Sequence, residues 1–246
     1  MSVTFLDSNP VNPGNAANAS IAVAGPALAD DIAVVAVYKE STAAITPPDG
    51  TWTQLAVDTT NASTQGGLTI FWKRLTGVDT GSYNFTWTGT TYRAAQLLGI
   101  RGCATAGSPW VSGSTILRTA NNAGTTINTS VTSVDGGMGI SFVSSWASVA
   151  RTWTVPSGWT KPQQNAVSAS GYKAGLSAGS TGTVSWVGSG NDYYQMFLGV
   201  LKPPSPSSVT YPVIGGVKKT TSGLYAVVSG LKKSATAYSI IGGVKK

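Results

Sequence analysis

Residues 19 to 201 contain two copies of one sequence pattern, which favours folds with two equivalent halves. Ile21 and the apolar run 32–35 recur as Ile127 and 138–141, in both cases 106 residues later. The turn and tryptophan in 48–53 recur in 156–160, and 97–101 resembles 197–201. The sequence therefore predicts pseudo-repeats at about 19–101 and 125–201.

Each copy has the alternating apolar pattern of half-buried or buried β-strands, and helical patterns are nearly absent. β-Branched and aromatic residues dominate the runs, and turn formers separate them every 8 to 15 residues. We therefore predict an all-β fold, a single antiparallel jelly-roll-like sandwich built from a pseudo-duplicated half. The strands expected in the first copy lie near 19–24, 31–38, 52–57, 67–74, 83–87 and 92–100.

The domain organisation follows from the composition between the repeats. The junction 102–110 has little polar linker character, and its Trp110 is expected to pack on the body, so the two copies should form one domain. Three prolines in 202–208 indicate a stiff spacer. We predict a β-sandwich body at 1–201, a Pro/Ser-rich spacer at 202–210 and a β-repeat tail at 211–246.

The tail contains three copies of a short pattern with an aromatic residue, a β-branched pair, glycine and a terminal Lys-Lys. Three short strands with glycine kinks or bulges are expected, which cannot bury a core unaided and should associate, with a homotrimer as our prediction. Paired lysines could bind an anionic surface, or could only protect strand edges from stray pairing. The candidate assembly or anchor residues are Tyr211, Lys218, Lys219, Tyr225, Lys232, Lys233, Tyr238, Lys245 and Lys246.

The formal charge of +7 is confined to the end of the chain. Residues 1–201 contain nine basic and nine acidic residues, whereas 202–246 contain seven lysines and no acid. A neutral body disfavours nucleic acid as a partner. The N-terminus has no signal-peptide pattern, and no apolar run approaches the ~20 residues of a spanning helix, so we expect a soluble protein without membrane insertion.

The residue inventory disfavours catalysis and metal binding. The chain has no histidine, Glu40 is its only glutamate and Cys103 its only cysteine, so Ser-His and zinc sites lack their residues. The aspartates are expected to lie singly in turns, without the carboxylate pair of a glycosidase. We predict no enzyme activity and no cofactor; a calcium site at Asp30 and Asp31 is the alternative to a simple turn there.

The aromatic residues are the remaining candidates for binding. Trp52, Trp72, Trp87, Trp159 and Trp186 recur at matched places in the repeat and are expected to fill the core. Other aromatics lie near loops or outside the matched pattern, where an exposed ring could stack on a sugar. These glycan-binding candidates are Tyr92, Trp146, Trp153, Tyr193 and Tyr194.

The motifs in 48–55, 71–77, 85–87, 98–102 and 156–160 together resemble a family of jelly-roll proteins. This family is frequent among minor tail and other virion proteins of bacteriophages, notably those of actinobacteria, and in some bacterial surface proteins. The resemblance covers about residues 19 to 201 and supplies no catalytic residues. The lysine-glycine tail resembles, more loosely, C-terminal repeats of phage structural proteins.

The resemblance implies a virion component that assembles in the host cytoplasm and leaves by lysis, which agrees with the missing signal peptide. Its partners would be other virion proteins, its own copies and a glycan of the host cell envelope. A minor tail protein that aids adsorption is the leading function, and a capsid decoration protein anchored by the basic tail is the alternative. A tail depolymerase is the enzymatic alternative that the inventory disfavours.

Overall fold

A computed structural model describes residues 3–58, 66–146 and 150–205, together with short segments at 209–211, 219–221, 227–228, 231–232, 240–241 and 244–245. Every regular element in these residues is a β-strand, and all strand pairs are antiparallel. The chain divides into two compact units, Met1–Pro204 and Ser205–Lys246. The predicted all-β, sandwich-like class is confirmed.

The first half of the larger unit forms a five-stranded sheet, here called sheet A. Its strand order is β1-β5-β2-β4-β3, with β1 at one edge and β3 at the other. The strands are β1 (Thr4–Ala22), β2 (Ala29–Lys39), β3 (Thr53–Asp58), β4 (Gly67–Thr76) and β5 (Ser82–Arg101).

The second half forms sheet B, whose main strand order is β6-β13-β8-β11-β10, with the short β9 also paired to β13. This order repeats that of sheet A strand for strand, so the duplicated sequence forms two equivalent sheets. The strands are β6 (Trp110–Thr129), β8 (Gly137–Ser145), β9 (Trp153–Thr154), β10 (Thr160–Gln164), β11 (Ser168–Leu176) and β13 (Val184–Leu201). A separate two-residue ladder pairs β7 (Thr132–Ser133) with β12 (Gly179–Ser180).

The two sheets pack face to face with a pseudo-two-fold relation. Strand β1 contacts β10 and β3 contacts β6, while the central strands β2 and β8 both contribute to a shared core. Alternate residues of β2 face this core, and the residues between them face outward. The fully buried residues of the shared core include Ile32, Val34, Leu98 and Ile100 from sheet A, and Met138, Ile140, Phe197 and Leu201 from sheet B.

Each sheet also has an outer apolar layer of its own. The long strands β1 and β5 contain register shifts, and their far ends, Asn18–Ala22 paired with Ser82–Thr86, contribute Ile21 and Phe85 to the layer outside sheet A. In the second half, Ile127 and Val184 have the same role. The first copy therefore has five strands and not the six expected, because 83–87 and 92–100 belong to one long strand.

The ladders correct one detail of the repeat. The residue numbers of equivalent positions in β2 and β8 differ by 106, as for Ile32 and Met138. Ile32 pairs with Ile100 of β5 and Met138 pairs with Leu201 of β13, so the residue numbers of equivalent positions in β5 and β13 differ by 101. The sequence similarity of 97–101 to 197–201 implies an offset of 100, which is one residue too short. A shift of one residue reverses the face of a strand: Gly99 faces Ala24 of the outer layer, whereas Gly199 faces Trp110 of the shared core.

Trp110 is buried and packs edge-on against Phe197, with 5.8 Å between ring centroids, which confirms its predicted contact with the body.

In the smaller unit, the described residues form three short antiparallel pairs instead of three single strands. The pairs are β14 (Val209–Tyr211) with β15 (Lys219–Thr221), β16 (Val227–Val228) with β17 (Leu231–Lys232), and β18 (Ile240–Ile241) with β19 (Val244–Lys245).

Candidate functional site

Two equivalent corners carry three of the predicted glycan-binding residues. At the end of β2 the amide of Glu40 donates a hydrogen bond of 3.0 Å to the Tyr92 carbonyl. At the end of β8 the amide of Trp146 donates one of 3.3 Å to the Tyr193 carbonyl. The offsets of 106 and 101 make these the same corner in the two halves, so Trp146 replaces Glu40.

Both corners lie at the same end of the larger unit. Gln195 pairs with Ser144 near the end of β8, and its Nε2 donates a 2.9 Å hydrogen bond to the carbonyl of Gly66. Gly66 precedes Gly67, which pairs with Lys39 at the end of β2. We call Tyr92, Trp146 and Tyr193 the aromatic end.

The side chains of the aromatic end are accessible to different degrees. Trp146 is 36% exposed, and Tyr92 and Tyr193 are half-buried. Burial, with a further contribution from the charge of Glu40, raises the pKa of Tyr92, so its hydroxyl stays neutral and can donate hydrogen bonds. The aromatic end therefore combines an open indole with two amphipathic phenol rings.

Trp153 and Tyr194 do not belong to this surface. Both are buried, and their rings contact each other at 4.9 Å between centroids while Trp153 also packs edge-on against Trp186. Trp153 comes directly before Thr154, which pairs with Val187 of β13. In the first half Ile45 comes directly before Thr46, which pairs with Thr86, so Trp153 is equivalent to Ile45. The tryptophan therefore fills a core position, and neither residue can stack on a glycan.

An ion pair supports the corner at Trp146, and the sequence offered no signal for it. Both Nε and Nη2 of Arg151 donate to Oδ2 of Asp192, at 3.2 and 3.1 Å, and Nη2 also donates to the Asn191 carbonyl. The side chain of Asp192 is 3% exposed and that of Arg151 13%. This ion pair, in which two guanidinium nitrogens share one carboxylate oxygen, ties the segment after β8 to the strand that carries Tyr193.

The core tryptophans lie largely where the repeat places them. Trp52, Trp87, Trp159 and Trp186 are buried, and Trp72 is half-buried against the shared core.

Cys103 is buried, and burial raises its pKa to about 12, so it behaves as the expected small apolar residue and not as a thiolate.

The aspartates are not all single, which corrects the expectation from the sequence. Nζ of Lys73, in β4, lies 2.7 Å from a carboxylate oxygen of Asp79 and 3.6 Å from one of Asp49. The lysine therefore joins the turn before β3 to the turn after β4. Burial opposes ionisation of Asp79, but hydrogen bonds from Lys73 and Thr76 lower its pKa to about 2. The Thr51 hydroxyl lowers the pKa of Asp49, so both carboxylates stay ionised near neutral pH and neither is a proton donor there.

This cluster predicts an acid-dependent loss of stability. The pKa of Asp79 is about 2 when folded and 3.8 ordinarily, so its contribution is complete above about pH 4 and is lost as the pH falls towards 2. We expect about 2 kcal/mol of unfolding free energy to disappear between pH 5 and pH 2 through this group. Urea unfolding across this range should show a smaller pH-dependent loss for Asp79→Asn; an unchanged profile would contradict the assignment.

The carboxylates of Asp30 and Asp31, where a calcium site is the predicted alternative to a simple turn, both face arginine side chains. Asp31 is buried and accepts two hydrogen bonds from Arg101, at 3.0 and 2.8 Å. A carboxylate oxygen of Asp30 lies 3.7 Å from Nη1 of Arg74. Each carboxylate already faces a guanidinium, and no group of three His, Cys, Asp or Glu side chains suited to a metal occurs within the described part of the chain.

The tail candidates are only partly within the described residues. Tyr211, Lys219, Lys232 and Lys245 lie in its short strands. The other tail candidates, Lys218, Tyr225, Lys233, Tyr238 and Lys246, lie outside the described residues. A role of these residues in assembly stays a prediction.

The described residues contain no helix with the length and apolar character needed to cross a membrane. The chain matches no protein-family model, no curated protein and no solved structure.

Proposed function

We propose that this chain is a non-enzymatic structural protein of a bacteriophage virion. Its body is a sandwich of the jelly-roll type, and it acts as a minor tail protein that contacts host-envelope glycans during adsorption. The observation that carries this proposal is the gathering of Tyr92, Trp146 and Tyr193 at one end of the body. The resemblance of the repeat motifs to phage virion proteins supplies the biological setting.

The chemistry of the aromatic end suits the sugar rings of a glycan. An exposed ring offers an apolar face to the C–H side of a sugar, and phenol hydroxyls can hydrogen-bond to its hydroxyl groups. Weak contacts of this kind become effective when several copies act together, as they would in a homotrimer or on a particle.

Capsid decoration is the second candidate, and the segregation of charge favours it. Residues 202–246 carry seven lysines and no acid, so the tail could anchor on an anionic shell of other virion proteins. In that case the body would face solvent, and the aromatic end would have no required ligand.

Gold-labelled antibodies raised against the full-length protein should distinguish the two locations on purified particles. We expect label at the tail, and we expect prior incubation of the antibody with free protein to abolish it. Label distributed over the head would favour decoration, and particles that lack the protein by both labelling and mass spectrometry would overturn a virion role.

A further inference from the structure

A cleft on the outer side of sheet A contains a buried lysine. The cleft has a volume of about 240 Å³ and lies between the ends of β2, β3 and β4 and the segment that follows β2. Among the described residues that line the cleft, Lys39 is the only charged one. The polar lining also includes Ser41, Thr42, Gln54 and Thr69, and the apolar lining includes Ile45 and Val57.

The ammonium group of Lys39 is held in the cleft with little compensation. Lys39 is 3% exposed, and its Nζ donates a hydrogen bond of 2.5 Å to the Ser41 carbonyl. Within the described residues no carboxylate lies within 4.0 Å of it. An ammonium group has three donors, and burial of a charge is costly unless opposite charge or hydrogen bonds compensate it. Burial accordingly lowers the pKa of Lys39.

The second half of the protein shows that the fold does not require this lysine. Lys39 pairs with Arg93 in sheet A, and the equivalent pair in sheet B is Ser145 with Tyr194. The same position at the end of the central strand is thus filled by a small neutral residue. A costly charge at a position where the repeat accepts serine suggests a role other than folding.

The wall of the cleft is fixed at both ends by hydrogen bonds. On one side, the Glu40 amide bonds to the Tyr92 carbonyl. On the other, Thr46 and Thr86 exchange two backbone hydrogen bonds, of 2.8 and 3.0 Å. Between them, Oγ of Ser41 accepts a 3.1 Å hydrogen bond from the Ala43 amide. This wall of the cleft is pre-formed, which reduces the entropy lost on binding.

We infer that the Lys39 cleft binds the carboxylate group of a single acidic sugar, such as a hexuronic acid. The ammonium would pair with the carboxylate, and the Ser41, Thr42 and Thr69 hydroxyls and the Gln54 amide would face the sugar hydroxyls. The cleft is smaller than the roughly 300–1,000 Å³ typical of sites for drug-sized ligands, so it suits one ring and not an oligosaccharide. The choice of a sugar depends on the proposed glycan-binding function, whereas the need for an anion does not.

Calorimetric titration of the full-length protein with glucuronate, galacturonate, glucose and acetate tests this inference. We expect glucuronate or galacturonate to bind, and both glucose and acetate to bind at least tenfold more weakly, because each lacks half of the recognised features. Equal affinity for acetate would overturn the sugar assignment, and equal affinity for glucose would overturn the carboxylate site.

Variants at Lys39 locate the binding and provide its control. Lys39→Met and Lys39→Ser should each weaken uronate binding about thirtyfold or more, since the anion loses its buried partner. Serine is tolerated at the equivalent position, so this second variant remains informative if methionine impairs folding. Lys173→Met, on sheet B, should bind like the parent protein. Equal weakening by Lys173→Met, or full binding by folded Lys39→Ser, would contradict the site.

The cleft can be tested separately from the aromatic end. Trp146→Ala should leave uronate affinity unchanged, because Trp146 does not line the cleft. Uronate binding without envelope binding would leave the cleft assignment intact and count against the adsorption role. Failure of uronate binding with intact envelope binding would remove only the inference about Lys39.

Discussion

Replacement of Trp186 with alanine is expected to lower the free energy of unfolding by about 4 kcal/mol. Trp186 is fully buried, and its Nε1 donates a 2.9 Å hydrogen bond to Oγ of Ser141. That hydroxyl in turn donates to the Phe197 carbonyl at 2.9 Å. Alanine would leave a cavity in the outer layer of sheet B and break this chain of hydrogen bonds. Urea unfolding of the full-length protein measures the change.

Trp146 provides the matched control. It lies at the surface of the aromatic end, so Trp146→Ala should change stability by less than about 0.5 kcal/mol. A large loss of stability in Trp146→Ala would mean that this side chain packs as core, and it would remove the indole from the candidate binding surface. Similar stabilities of the Trp186→Ala and parent proteins would contradict the packing of sheet B.

Replacement of Arg151 with methionine is expected to cost about 3 kcal/mol, because Asp192 would remain buried without its counter-charge. The segment between β8 and β9 would also lose its side-chain hydrogen bonds to Asn191 and Asp192 of β13. Thermal and urea unfolding of the variant measure the loss.

A second substitution separates charge burial from lost packing. Asp192→Asn should restore part of the stability of Arg151→Met, since an amide is cheaper to bury than an unpaired carboxylate and can still accept the 2.8 Å hydrogen bond from the Tyr193 amide. If the double variant is less stable than Arg151→Met alone, the charge of Asp192 is not the source of the cost.

Much of the sandwich could be predicted from sequence because both copies use strong local patterns. The continuous apolar run of β2 indicates burial on both faces, and β2 does lie between the shared core and an outer layer. The first part of β1 escapes prediction because Pro10 and Pro13 interrupt its pattern. Among the described strands β1 pairs with β5 alone and is an edge strand, and proline is tolerated there because one side needs no ladder hydrogen bonds.

The candidate sites depend on contacts that local patterns do not contain. Asp49 and Asp79 are 30 residues apart, and only the pairing of β3 and β4 and the turn after β4 bring both to Lys73. In the sequence Lys39 follows an apolar run and looks like an ordinary polar residue at the end of a strand. It is buried because the segment that follows β2 covers it as a wall of the cleft. The sequence contains one indication that Lys39 is unusual, which is that the equivalent residue of the second copy is Ser145. This comparison can be made only when the two copies are aligned with the offset of 106.

Binding of the aromatic end to the host envelope can be measured in a sedimentation assay with purified envelopes. We expect full-length protein to co-sediment and the Trp146→Ala, Tyr193→Ala double variant to bind about tenfold more weakly, from two lost aromatic contacts. Leu28→Ser, Val78→Ser is the control, because these residues are 55% and 81% exposed at the opposite end of sheet A. Weaker binding by the aromatic variant alone supports envelope binding through the aromatic end; equal binding by the parent and both folded variants would contradict it.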